Sequence, residues 1–338
     1  MNWSMLGHEW AVSLLRSHLV HDSPRHAYLI TGATGIGRRT LALRFAQALN
    51  CPSPTAPGEA CLQCRTCQQI ERMQHPDLAV VQAEWRGGTL KVEQVRDLQH
   101  TLALTPYEAR YRVALLLRFE EAHPSAANAL LKTLEEPAPQ VILLLTAESA
   151  ESLLPTIVSR CEVLRLRPLP LKTVQDGLNK QWGLKDEDAC LLAHLSGGRP
   201  GYALQLHQNP EKLEKRKEWL EQQRQLMSAN RVERFAFAEA KAHFKDRDDK
   251  IARLAELQEM LLTWQSFWRD ALLCASGAST PLTNIDRTEE VQALTGRLDL
   301  LTIYQMVSNL ECALAQLEKN VNPQLALEVL LLDLPSFT

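Results

Sequence analysis

Two stretches of the chain hold residue types whose spacing can do chemistry. The first is Tyr28-Leu29-Ile30-Thr31-Gly32-Ala33-Thr34-Gly35-Ile36-Gly37-Arg38-Arg39-Thr40, an apolar run followed by a loop with three glycines in six residues. Helical spacing then runs through Leu41, Ala42, Phe45, Ala46 and Leu49. Strand, glycine-rich loop and helix in that order make a phosphate cradle, because glycine lets backbone N–H groups converge and the helix N-terminus adds partial positive charge. The fit to G-x-x-x-x-G-K-[ST] fails at the two positions that do the chemistry. Gly32 and Gly37 are in place, with Thr34 and Gly35 between them, but Arg38 stands where lysine meets the phosphates and Arg39 where a hydroxyl ligates Mg²⁺. Thr40 comes one residue late, about 100° round the helix. A guanidinium still attracts phosphate, yet it is a bulkier fork than an ammonium. The expectation is a degenerate nucleotide or anion cradle whose metal site is lost.

The second stretch carries Cys51, Cys61, Cys64 and Cys67, four of the eight cysteines. Four thiolates satisfy a closed tetrahedral Zn²⁺ site, and Pro52, Pro54, Pro57 and Gly58 make a loop with little core of its own that a structural metal would staple. The competing reading is a set of free or redox-active thiols. Cys161, Cys190, Cys274 and Cys312 are scattered and read as core or incidental thiols.

The elements that must position these groups alternate in type. Residues 1 to 27 read as an amphipathic helix on Trp10, Ala11, Leu14, Leu15 and Leu19, broken at Asp22-Ser23-Pro24. Strands are expected at Ala27–Ile30, Leu78–Val81, Val113–Leu117, Val141–Leu145 and Glu162–Leu166. Helices are expected over Val92–Leu104, Ser125–Leu134 and Ser152–Val158 between them. That alternation predicts an α/β domain with a mainly parallel sheet and the loop at its carboxyl edge. In a phosphate-loop ATPase the strand ending at Leu117 leads into an acidic pair that holds Mg²⁺ and polarises water. Here Leu117 and Arg118 fall on those positions, and Arg39 and Arg118 would repel a divalent cation. Glu120 and Glu121 arrive late, as a solvated approach to the next helix or, with a slipped register, near the site.

Length and composition set the frame. At 338 residues the chain holds two or three domains, and 45% hydrophobic with 23% charged residues describes an ordinary globular protein. The net charge of -3 argues against extensive independent binding to nucleic acid. No stretch is long and apolar enough to span a membrane and no signal-peptide pattern opens the chain, so a cytoplasmic location is expected.

The segment Ser125-Ala126-Ala127-Asn128-Ala129-Leu130-Leu131-Lys132-Thr133-Leu134-Glu135-Glu136-Pro137, then an apolar strand to Thr146 and Ser159-Arg160-Cys161, resembles the clamp-loader branch of the AAA+ proteins. The four-cysteine insert narrows the resemblance to bacterial subunits. The degraded loop with Arg38-Arg39 points to a subunit that does not hydrolyse ATP rather than to the gamma/tau type. The likeness covers about residues 5 to 205 and returns weakly at Asn320-Val321-Asn322-Pro323-Gln324-Leu325-Ala326-Leu327-Glu328.

The resemblance implies a ring-like pentamer with each nucleotide between neighbouring subunits. Arg160 would be an arginine finger, supported by Ser159 and Cys161, aimed at the γ-phosphate on an adjacent ATPase subunit. Taken alone, Arg160 is a surface or salt-bridged arginine. ATP and Mg²⁺ would be held productively by the neighbour and not here. Thr146 matches the family's sensor position or is simply structural.

The implied partners are the gamma/tau and delta subunits, the sliding clamp, and primed DNA reached through the assembled complex. The expected division is a core over 1–168 with the cysteine module at 51–67, a helical lid over 169–208, and a helical collar over 209–338. In the lid, active relatives place a sensing arginine where this chain offers Gly201 or Tyr202; Arg199 is nearby but precedes Pro200 and is not assigned that role. In the collar, Glu211–Ala229 is charged on nearly every side and expected to be exposed, while Leu254–Leu273, Leu298–Leu317 and Leu325–Leu332 carry apolar faces. Trp264 and Trp268 share a helical face suited to a core or a subunit interface. The alternatives are a catalytically active ATPase of the gamma/tau type, with Glu120 or Glu121 recovering the metal role, and a small-molecule phosphotransferase, which would leave the cysteines and Arg160 unexplained.

Overall fold

The computed structural model describes residues 3–85, 87–243, 247–319 and 321–336. Asn320, the first residue of the weak C-terminal likeness, lies outside them. The chain divides into two compact units, Met1–Gly183 with Gly198–Tyr202, and Leu184–Gly197 with Ala203–Thr338.

The first unit runs α1 (Glu9–Val20), β1 (Ala27–Thr31), α2 (Arg38–Asn50), α3 (Arg65–Glu71), β2 (Leu78–Val81), α4 (Val92–Leu102), β3 (Arg112–Leu116), α5 (Pro124–Glu135), β4 (Val141–Ala147), α6 (Pro155–Val158), β5 (Glu162–Arg165) and α7 (Leu171–Trp182). The five strands form one sheet in the order β2-β3-β4-β1-β5, and every pairing is parallel. All residues of β1, β3 and β4 are buried, as expected of central strands covered by helices on both faces. Side chains alternate between two cores. Tyr28, Ile30, Val113, Leu115, Ile142 and Leu144 point to one, and Leu29, Ala114, Leu116, Leu143 and Leu145 to the other. β1 lies between β4 and β5, so the loop that follows it opens at the carboxyl edge where strand order reverses, the place such sheets reserve for ligands.

Trp10 departs from the expected apolar stripe of α1. It is 50% exposed, while Ala11, Val12 and Leu15 make the buried face. The neighbouring position on a helix is turned about 100°, which is enough to carry Trp10 off that stripe.

The second unit is helical: α8 (Asp186–Leu195), α9 (Pro200–Gln208, whose first residues cluster with the sheet), α10 (Pro210–Ser228), α11 (Arg231–Ala242), α12 (Arg247–Ala275), α13 (Thr288–Thr295), α14 (Leu300–Glu318) and α15 (Pro323–Leu332). Trp264 and Trp268 on α12 are fully buried in its core, and Trp264 Nε1 donates to the Trp219 carbonyl at 2.7 Å. The expectation of an exposed α10 is corrected, because Arg216, Trp219, Leu220, Gln223, Leu226 and Met227 form a buried stripe. Two of those six are polar, so hydropathy hid the stripe. Arg216 is tolerated there because its guanidinium donates to Asp286 at 2.7 and 2.9 Å and to Asn284 at 2.7 Å.

Candidate phosphate loop, cysteine cluster and arginine finger

The loop between β1 and α2 has the backbone that its glycines predict. Gly32 and Gly35 adopt φ of 144° and 83°, and a Cβ at Gly32 would fall 2.6 Å from the Leu166 carbonyl oxygen. At Gly35 a Cβ would meet Tyr202 Cβ at 2.7 Å and its amide nitrogen at 2.8 Å. Gly37 caps α2 with φ of 111°. The first turn of α2 contains no acid, so its positive end is not neutralised from within the helix.

Arg38 and Arg39 diverge. Arg38 is buried with Nη1 3.9 Å from Glu120 Oε1, whereas Arg39 and Thr40 are exposed. The solvated placement of Glu120 is therefore corrected. Arg118 takes a left-handed conformation at φ 50°, a 3₁₀ turn follows over Phe119–Glu121, and the tightened chain brings Glu120 back onto Arg38. Burial pushes the Glu120 carboxyl above its ordinary value although Arg38 opposes the shift.

Arg118 does not stand as a bare cation at the site. Its Nε donates to both Glu121 carboxylate oxygens at 3.0 Å, and Nη2 reaches the Ala83 carbonyl at 3.5 Å. Thr146 Oγ1 accepts the Arg118 amide at 3.0 Å, so this residue holds the turn after β3 in place.

Residues outside the loop complete it. Thr34 Oγ1 donates to Glu148 Oε1 at 2.8 Å, Arg199 Nη1 reaches the Thr34 carbonyl at 3.5 Å, and His8 Nε2 contacts the Ile36 carbonyl at 3.2 Å. The Gly201 amide donates to the Gly35 carbonyl at 2.8 Å. Arg199, set aside on sequence because it precedes Pro200, stacks over the Tyr202 ring at 4.6 Å, and burial holds its guanidinium below the ordinary arginine value. The signal was the proline itself: Pro200 is the first residue of α9, a position proline favours, so Arg199 sits just outside the helix.

The four cysteines converge. One sulfur from each of Cys51, Cys61, Cys64 and Cys67 lies within 4.8 Å of the others. Tetrahedral thiolates at the Zn–S length of about 2.3 Å would be about 3.8 Å apart, so the set fits a zinc ion. Backbone amides orient three of the four sulfurs, while burial pushes the Cys51 and Cys67 thiols above their ordinary value. The amides of Cys61, Cys64 and Cys67 donate to the sulfurs of Cys51, Cys61 and Cys64 at 3.3, 3.3 and 3.4 Å, the kind of outer contact that orients metal ligands. Backbone donors at Cys64 and Gln63 lower the Cys61 thiol to about 6.

Ser159, Arg160 and Cys161 lie between α6 and β5. Arg160 Nη2 donates to Glu135 Oε1 at 2.7 Å and Nη1 to the Thr156 carbonyl at 2.8 Å. Ser159 Oγ donates to the same carbonyl at 3.2 Å and so braces the turn. Burial pushes the Cys161 thiol up to about 12, which makes it an anchoring side chain rather than a reactive one. Neither Glu135 nor Thr156 belongs to the phosphate loop, so the loop and Arg160 are held by separate partners.

A parallel sheet in this order, with a glycine-rich loop after its interior strand β1, makes the first unit a phosphate-loop α/β domain, and the second unit is helical. Two family models match along it, described as DNA polymerase III, delta subunit, over residues 7–170 and DNA polymerase III, delta subunit, C terminal, over residues 210–335. The chain belongs to that family. It is similar to the DNA polymerase III subunit delta' of Pseudomonas aeruginosa, 42% identical over 188 residues that cover 54% of this chain and 56% of the relative. The subunit delta' of Bacillus subtilis is 35% identical over 205 residues, covering 61% of this chain and 60% of the relative. The matched region thus spans under two thirds of these relatives. A DNA polymerase III gamma subunit-related protein from Thermotoga maritima shares the fold, with a TM-score of 0.50 at 16% identity over 95% of this chain and 97% of the other. No helix among the described residues is long and apolar enough to cross a membrane.

Proposed function

We propose that this chain is a non-hydrolysing subunit of a bacterial DNA polymerase III clamp loader, which works in the cytoplasm and lends Arg160 to an ATP site on the neighbouring subunit. One observation carries the reading. The loop has arginines where phosphate-loop ATPases need lysine and a hydroxyl, and the acid that follows β3, Glu120, is paired with Arg38. A lysine at Arg38 would bring its ammonium to the phosphates, and a serine or threonine at Arg39 would add a metal ligand. Neither group is present in this chain.

In the assembly the loop of Gly32, Thr34, Gly35, Gly37, Arg38 and Arg39 serves as a braced element of the subunit, binding anions weakly or not at all. Arg160 serves the chemistry. A permanently charged fork with five donors neutralises charge that develops on a transferred phosphoryl group, and such fingers are worth about 10³- to 10⁵-fold in turnover. Ser159 braces its turn and Cys161 anchors it. Cys51, Cys61, Cys64 and Cys67 would hold a structural Zn²⁺ that cross-links the loop between α2 and α3; with four protein thiolates it leaves no open position for catalysis. The partners are gamma/tau and delta subunits, the sliding clamp, and primed DNA reached through the complex. Residues 169–208 act as lid and residues 209–338 as the oligomerising collar.

Reconstitution tests this. The isolated chain is expected to show no Mg²⁺-dependent ATP hydrolysis, and adding it to gamma/tau and delta subunits to raise clamp- and DNA-dependent hydrolysis. The proximity of Glu120 to Arg38 keeps one second reading in view, an ATPase of the gamma/tau type in its own right. Steady turnover by the isolated chain, abolished by Glu120→Gln, would establish that reading and end the first.

A further inference from the structure

Glu135 belongs to the run Thr133-Leu134-Glu135-Glu136-Pro137 that carries the family likeness, and no function has attached to it so far. It is the last residue of α5, where the helix presents its negative end, so a carboxylate there is disfavoured unless a cation neutralises it. The cation is Arg160, 25 residues further along the chain, with Nη2 2.7 Å from Glu135 Oε1. The Thr156 carbonyl takes Nη1 at 2.8 Å, so the guanidinium is fixed from two sides by groups of its own subunit.

We propose that Glu135 is a positioning residue for Arg160, a latch that keeps the guanidinium on its own subunit until a triphosphate on the neighbour takes it over. The inference rests on the finger role given to Arg160 above. The geometry suits a latch better than a permanent tie. The Arg160 side chain is 34% exposed and that of Glu135 50%, so water screens the pair and it is weak enough to be exchanged. The fork has five donors, more than its two short bonds occupy, so phosphate oxygens can engage it before the carboxylate lets go. Once phosphate arrives, the Glu135 carboxylate stands close to a group of like charge, which favours its departure. The latch therefore opposes finger insertion when the neighbouring site is empty or poorly filled.

Glu135→Gln keeps the size of the side chain and removes its charge. In the reconstituted complex it is expected to lower the ATP concentration for half-maximal hydrolysis by about 2- to 5-fold, the range an exposed ion pair supplies, while turnover at saturating ATP stays within about twofold. The gap between wild type and variant should narrow as salt rises, because salt screens the pair. Glu135→Ala, which removes charge and hydrogen bond together, should shift the same way. A merely structural role would lower thermal stability and leave the ATP dependence where it was. Unchanged half-saturation in both variants, or a fall in saturated turnover, overturns the latch. Arg160→Ala in the same assay separates the two ideas. If it abolishes stimulation while the Glu135 variants behave as wild type, only the latch is lost; if it hydrolyses ATP normally, finger and latch fall together.

Discussion

Asp77 is the clearest place to break the first unit on purpose. Its carboxylate is fully buried just ahead of β2, where it accepts three amide hydrogen bonds and pairs with one guanidinium. Oδ1 takes the Tyr107 amide at 2.7 Å and lies 3.1 Å from Arg112 Nη2, while Oδ2 takes the Glu108 and Ala109 amides, both at 2.9 Å. Arg112 also ties down the Thr101 and Thr105 carbonyls at 3.1 and 2.7 Å, so one ion pair fastens the whole connection from α4 to β3.

In Asp77→Asn one side-chain oxygen becomes an NH₂ group, and whichever way it turns it faces two donors. Removing one partner of a buried pair costs about 3 to 5 kcal/mol. For a unit of this size that is a fall in Tm of about 6 to 20 °C. Burial by itself would raise the Asp77 carboxyl, but the three amides and Arg112 outweigh it and hold the group below its ordinary value of 3.8. A depressed folded value means that this stabilisation is complete above the unfolded pKa and is lost as pH falls through the folded one.

The charged groups that face Asp77 are Arg112 and His75, and the Glu108 carboxylate lies 3.4 Å from His75 Nε2; burial keeps the His75 ring below its ordinary pKa, and its Nδ1 accepts the Asp77 amide at 3.0 Å. The assay is thermal unfolding from pH 7 down to about 2, with hydrogen exchange read at the Tyr107, Glu108 and Ala109 amides. Wild type should lose stability below about pH 4, while Asp77→Asn should be weaker at pH 7 and lack this part of the acid slope. A Tm within about 2 °C of wild type at pH 7, with the acid slope retained, would refute the reasoning.

Three further outcomes follow from other parts of the chain. Cys64→Ser should remove bound zinc, which a chelator-coupled colour assay reads as a drop from one ion per chain to none; metal-free wild type with an ordered cysteine loop would oppose the assignment. Gly35→Ala places a methyl carbon 2.7 Å from Tyr202 Cβ at a φ of 83°, so the loop and the Gly201 segment must part, at a cost of about 1 to 3 kcal/mol and with faster exchange of the Gly201 amide. Trp264→Ala empties a fully buried site and removes the indole donor to the Trp219 carbonyl, which should destabilise the second unit by about 3 to 5 kcal/mol in a urea titration.

The elements that the sequence made legible are those governed by local pattern. β1, β3 and β4 were visible as short apolar runs because central parallel strands are buried on both faces and need no polar alternation. The cysteine cluster was visible because its members lie close along the chain, and their sulfurs do meet. Arg38 and Arg39 were readable as replacements because a phosphate loop has fixed offsets from strand to helix.

Tertiary structure decided which charges face one another. Glu120 turns onto Arg38 because one residue, Arg118, adopts a left-handed conformation, and no hydrophobic period encodes such a turn. Arg199 reaches Thr34 across 165 residues, and Glu135 reaches Arg160 across 25. The buried face of α10 escaped notice because Arg216 and Gln223 belong to it, and a buried arginine is acceptable only when its acceptors arrive from elsewhere in the chain. Residue types and offsets determined by themselves the strands, the loop and the cysteine cluster, since these depend on neighbours in the chain. The pairing of ions depends on distance in space, which only the closed fold sets.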